Sequence, residues 1–115
     1  MHYSISMIIS FADKTTSDLY HGKSSSRVRK LPTQILESAL YKLDVLNGAQ
    51  NLDDLRSPPG NRLEVLKGNY LGFHSIRINA QWRIIFRWEG SNAHDVCVML
   101  WIRILPDLNH GQPKN

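Results

Sequence analysis

The run Asn61-Arg62-Leu63-Glu64-Val65-Leu66-Lys67-Gly68 and the run His74-Ser75-Ile76-Arg77-Ile78-Asn79-Ala80-Gln81-Trp82-Arg83-Ile84-Ile85-Phe86-Arg87-Trp88 alternate apolar and polar residues. Alternation of period two marks strands with one face buried. Strands are expected at 62–67, 73–79, 82–88 and, further on, 95–102. The short connections between them make an antiparallel meander. Keeping apolar residues together sets the register. A four-residue loop at 69–72 pairs Val65 with Ile76 and Leu63 with Ile78. A three-residue loop at 79–81 pairs Ile78 with Trp82 and Ile76 with Ile84. Trp82, Phe86 and Trp88 then fall on the inner face as core. Glu64, Arg77 and Arg83 fall side by side on the other face, with Arg87 one step along. Directly opposed arginines repel. Glu64 neutralises one of them and leaves the other for an external anion, which a guanidinium grips with two parallel hydrogen bonds. The alternative is a solvated face whose long side chains splay apart. Lys67 stands at a strand end beside Gly68, and His74 is expected across from it.

Upstream the period changes to that of a helix. Pro32 suits a first helical turn. Ile35, Leu36, Ala39, Leu40, Leu43 and Leu46 follow at helical spacing, and Gly48 closes the helix. Asp13 is placed to cap a short helix running to about His21, with Gly22 as its stop. Met7-Ile8-Ile9-Ser10-Phe11 is a short strand candidate. The Ser- and Arg-rich stretch 23–30 is expected to be a loop, 51–55 a further helical turn, and Ser57-Pro58-Pro59-Gly60 a rigid connection. Helices followed by hairpin-linked strands indicate an α+β domain, with N-terminal helices packed on one face of a mostly antiparallel sheet.

The 115 residues suit a single domain. The one cysteine, Cys97, has no partner for an internal disulfide, and no Cys/His spacing matches a zinc site. No stretch approaches the roughly 20 apolar residues of a membrane span, and no signal peptide is visible. A cytoplasmic location follows as the expectation. The net charge of +4 leans toward an anionic partner.

Several motifs in order resemble the HigB-type toxins of the RelE/ParE superfamily. They are Ser10-Phe11-Ala12-Asp13-Lys14 after Met7, Lys42-Leu43-Asp44, Asp53-Asp54-Leu55-Arg56-Ser57-Pro58-Pro59-Gly60-Asn61-Arg62-Leu63, Leu66-Lys67-Gly68, Ser75-Ile76-Arg77-Ile78-Asn79 and Gln81-Trp82-Arg83. The resemblance spans about residues 7–98. It implies a compact RelE-like fold and a ribosome-dependent mRNA interferase that uses no metal or cofactor. In such an enzyme the 2′-hydroxyl attacks the adjacent phosphate. It also implies a helix-turn-helix antitoxin of the HigA type, with operator DNA reached only through that antitoxin, and the ribosome and mRNA as further partners.

By the same resemblance Lys67 stands at a family active-site lysine and Arg83 at an arginine that binds the scissile phosphate. Arg77 supports Arg83. Glu64 stands where some members carry a histidine, with pairing to Arg77 as its expected job and a general-base role as the alternative. The ending departs from the pattern. Members finish in Val-Glu-Ile-Val-Asp-Tyr-His, whereas Leu100, Trp101 and Ile102 stand at the last three places here. Leu100 and Ile102 carry no proton, while Trp101 can stack on a base or on Arg83. The expected division is an extension at 1–6, a toxin domain at 7–103 and an atypical tail at 104–115 that contains Asp107 and His110. A toxin fold that binds its antitoxin with cleavage weakened or lost is the second expectation, and a ParE-like gyrase inhibitor the third.

Overall fold

The computed structural model describes residues 8–108, with side chains through Leu105. The extension at 1–6, the side chain of Asp107 and all of His110 lie outside that description. Four strands form one antiparallel sheet in sequence order: β1 (Glu64–Val65), β2 (Phe73–Arg77), β3 (Trp82–Glu89) and β4 (Asn92–Leu100). The chain is α+β, as its pattern indicates. No helix among the described residues is long and apolar enough to cross a membrane.

Helix α1 (Lys14–Tyr20) is capped by the Asp13 carboxylate, which accepts from the Thr16 amide at 3.0 Å. It stops at Gly22, whose φ of 74° suits glycine. The stretch 23–30 is not all loop, because Ser25 accepts from the Val28 amide and starts a single turn, α2 (Ser26–Arg29). Helix α3 (Thr33–Gly48) begins after Pro32 and buries Ile35, Ala39, Leu43 and Leu46. Short 3-10 turns follow at Leu52–Arg56 and Pro59–Asn61.

The core between α3 and the sheet joins those helix residues to Ile76, Ile78, Ile84, Phe86, Val96 and Val98, with Trp82 and Trp88 packed against it. Among the described residues, 8–12 form no strand of their own. They make two parallel bridges, Ile8 to Ala93 and Phe11 to Val96, along the outer edge of β4. Ile9 and Ala12 donate to the Ala93 and Val96 carbonyls at 2.8 and 2.9 Å, so the edge amides and carbonyls there are partly satisfied.

Two features depart from the pattern reading. The register between β2 and β3 is as expected, with Ile76 opposite Ile84 and Arg77 opposite Arg83. Between β1 and β2 it lies two residues away: Glu64 faces Ser75 and Val65 faces His74. A 3-10 turn at Gly68–Tyr70 lengthens the connection, and a slip of two keeps every side chain on its own face. The second departure is at the end. The chain leaves β4 at Leu100 and turns into a helix, α4 (Trp101–Leu108), where a strand to 102 was expected. Helix α4 lies on the polar face, away from α3. Ile104 is fully buried there with Leu66, Ile85 and Cys97, and Tyr70, Phe73, Met99 and Trp101 pack around them. The sheet is therefore covered on both faces, and a domain boundary after 103 would cut through α4.

Leu43→Ala should cost about 2–5 kcal/mol in urea unfolding, since Leu43 has no exposed surface. Tyr41→Ala, on the exposed side of the same helix, should stay within about 0.5 kcal/mol. Equal losses would remove α3 from the core.

Candidate active site around Arg83

The polar row converges on Arg83. Its side chain is only 7% exposed although it carries a full charge. Burial of that kind is tolerated when every donor finds a partner. Arg83 Nη1 donates to Ser75 Oγ at 2.9 Å and to the Arg62 carbonyl at 3.0 Å. Arg83 Nη2 lies 3.6 Å from Glu64 Oε2. The guanidinium carbon sits 4.3 Å from the centre of the Trp101 ring, a cation–π contact. Ser75 is small, which lets the guanidinium fold back across β2 toward Glu64. Burial lowers the Arg83 pKa from its ordinary value, Glu64 raises it, and Arg77 and Arg62 lower it.

Glu64 therefore pairs with Arg83 and not with Arg77, because the two-residue change of register sets it opposite Ser75. Arg77 stays half-buried directly across from Arg83 and makes no ion pair among the described residues. Arg87 shares the strand but leaves the row. It is held by Asp95 at 2.9 Å and by Glu89 at 2.8 Å. The register shifts between Ile85 and Arg87, where β4 carries an extra residue, and Asp95 there takes φ 53°. A bulge of this kind re-aims a side chain, here Asp95 onto Arg87.

Lys67 is exposed at the start of the Gly68–Tyr70 turn. It lies three residues beyond Glu64, about 10 Å along an extended chain. Among the described residues no hydrogen bond or ion pair joins its side chain to the Arg83 group. His74 does not lie across from Lys67. It pairs with Val65 and stacks on Phe86 at 5.8 Å, and its Nδ1 is buried without a partner among the described residues. Burial lowers its pKa. Cys97 is inert as a nucleophile: burial and the nearby Asp13 carboxylate push its thiol up to about 12.

Three participants were not among the expected site features. Ser75 shares the face of Arg77 two residues earlier, which alternation does record. The Arg62 carbonyl is a backbone acceptor, set by the left-handed conformation of Arg62 (φ 47°, ψ 55°), and side-chain identity does not encode it. Helix α4 is the third. It begins with Trp101, whose amide donates to the Gln81 carbonyl at 2.7 Å, and this bond fixes the ring over Arg83. At the three places where the resemblance leads one to expect titratable groups, Leu100 is half-buried, Trp101 lies over Arg83 and Ile102 is 69% exposed.

An α+β domain with a polar sheet face built around an anchored arginine is the class of protein this geometry defines. Residues 9–99 match the family of RelE-like toxins of the type II toxin–antitoxin system HigB. The chain is 44% identical over 87 residues to Toxin HigB-1 of Vibrio cholerae, covering 76% of this chain and 90% of that protein. It is 36% identical over 67 residues to an uncharacterized protein of Haemophilus influenzae, covering 58% of this chain and 66% of that one. The chain belongs to the HigB-like toxin family. A type II toxin has a protein antitoxin as its partner. The family match ends at residue 99, so α4 lies beyond it.

The lowered pKa of His74 has a stability consequence with a definite sign. An unfolded histidine takes up a proton near pH 6.5 while the buried one resists it, so the contribution is present above that pH and lost below it. Wild type should lose more urea stability between pH 7 and pH 5 than His74→Phe. Equal losses would show that His74 is not held neutral by burial.

Proposed function

We propose that this chain is a ribosome-dependent mRNA endoribonuclease held in check by a helix-turn-helix antitoxin of the HigA type, working in the cytoplasm. The observation that supports this most directly is the Arg83 guanidinium fixed on the sheet by Ser75, Glu64 and the Arg62 carbonyl, within a chain of the HigB-like family. In the proposed reaction the 2′-hydroxyl gives its proton to water, its oxygen attacks the adjacent phosphorus, and the bond to the 5′-oxygen breaks as that oxygen takes a proton from water. A 2′,3′-cyclic phosphate and a 5′-hydroxyl result. The transition state gathers negative charge on the phosphoryl oxygens. A fixed cation lowers its energy without reorganising during the reaction. Arg83 fills that role, with Arg77 opposite it. Lys67, exposed at the rim, approaches the same phosphate once RNA is bound. Glu64 holds Arg83 in place.

Expression without antitoxin should arrest translation, with mRNA cut at ribosomes. Lys67→Ala should lower cleavage about 10²–10³-fold. Because Lys67 is exposed, its stability should change by no more than about 0.5 kcal/mol. Arg83→Lys should reduce cleavage comparably, since an ammonium cannot reproduce the fork of a guanidinium. Antitoxin binding should survive both changes. Full cleavage by both variants would remove these residues from the reaction. DNA supercoiling by gyrase should be unaffected, which separates this activity from ParE-type inhibition.

A second reading is favoured by one specific observation. Trp101 occupies the face of Arg83, and α4 is packed on the same side of the sheet. With Leu100 and Ile102 unable to move a proton, the chain would bind its antitoxin while cleaving weakly. Replacing Leu100→Asp, Trp101→Tyr and Ile102→His, with the chain ended after 102, should then raise toxicity by an order of magnitude or more. No gain in growth arrest, with antitoxin binding intact, would count against a site weakened by its ending.

A further inference from the structure

Beside Arg83 lie three cations that the proposed reaction does not fully employ. Arg77 faces Arg83 across the β2–β3 pair. Arg62 is exposed, and its carbonyl holds the Arg83 guanidinium. Lys42 reaches over from α3 and donates a hydrogen bond to Asn61 Oδ1. Asn61 is the fixed point of this group. Its side chain is fully buried, and its Nδ2 donates to the Leu55 and Ser57 carbonyls at 3.1 and 3.3 Å. One asparagine thus aims Lys42 and ends the 3-10 turn that Arg62 caps. Lys42, Arg62 and Arg77 make no ion pair among the described residues, and Glu64, the carboxylate of this row, is bound to Arg83. Charge links them in pairs: after burial, Arg77 is what lowers the Lys42 pKa, and Arg62 and Arg77 both lower that of Arg83. Helix α4 buries Leu66, Ile85 and Cys97, none of which belongs to this group.

Aimed cations without an internal counterion are most stable when an external polyanion supplies the charge. We propose that Lys42, Arg62 and Arg77 form a second phosphate site, which grips the RNA backbone at the phosphodiester next to the one at Arg83. The site reads charge and not base identity, because all three contacts are to phosphate. The inference rests on the RNA reading of Arg83. The competing occupant is an acidic segment of the antitoxin.

The test uses a fluorescein-labelled 2′-O-methyl RNA dodecamer, which lacks the attacking hydroxyl, and anisotropy measured between 50 and 200 mM salt with the full chain. Each phosphate contact on a single strand adds about 0.7 to the slope of log affinity against log salt. The double variant Lys42→Gln, Arg62→Gln should lower that slope by about 1.4, equally for different base sequences. The charge-keeping pair Lys42→Arg, Arg62→Lys should restore it. If the glutamine pair lowers the urea midpoint, Arg62→Gln alone is used, with an expected drop of about 0.7. An unchanged slope, while Arg83→Lys still weakens RNA binding, overturns the second site and leaves the RNA reading standing. A wild-type protein that does not bind the dodecamer overturns the second site, while the ribosome-dependent reading is decided by cleavage at ribosomes. An unchanged slope with weakened antitoxin binding gives the patch to the antitoxin and also overturns the proposal.

Discussion

Burying the Arg83 guanidinium constrains the whole polar face of the sheet. A charge taken out of water costs several kcal/mol unless it is paired and its donors are satisfied. Each neighbour follows from that requirement. A serine at 75 leaves room and supplies an acceptor. The left-handed turn at Arg62 presents a carbonyl. Glu64 supplies the counter-charge, and the Trp101 ring lies over one face of the guanidinium. Removing any one partner would leave a buried donor or a buried charge unpaired, which costs more than the interaction itself contributes.

The same constraint explains how the chain end is used. Helix α4 has an apolar side, and the sheet face around Leu66, Ile85 and Cys97 would otherwise meet water. Packing the two together buries Ile104 completely and brings Trp101 over Arg83. One element therefore completes a second small core and covers the guanidinium. The family match stops just before it, at residue 99. The matched range thus contains Arg83 and its sheet partners, while the segment after it lays Trp101 over the guanidinium.

Charge on this face is distributed unevenly. Arg87 is neutralised by Asp95 and Glu89 at the bulged end of the sheet. Arg62, Arg77 and Lys42 gather toward the other end without such partners among the described residues. One strand parity thus yields two environments. The bulge at Asp95 turns a carboxylate onto one arginine, whereas the turn at Asn61 and Arg62 adds cations around another.

The sequence by itself determined the elements and their faces. Helical spacing from Ile35 to Leu46 and alternation from Trp82 to Trp88 each match a buried stripe, because burial acts on every residue of a regular element in the same way. The Asp13 cap, the stop at Gly22 and the pairing of Arg77 with Arg83 were legible for the same local reason. The tertiary structure alone decided what depends on contacts between distant segments. Alternation is blind to a slip of two, so only the turn at Gly68–Tyr70 fixes Glu64 opposite Ser75 and gives it to Arg83. A backbone carbonyl at Arg62 leaves no mark in composition. Leu100-Trp101-Ile102 reads equally well as strand or helix over so short a run, and the apolar sheet face that Ile104 buries against chooses the helix.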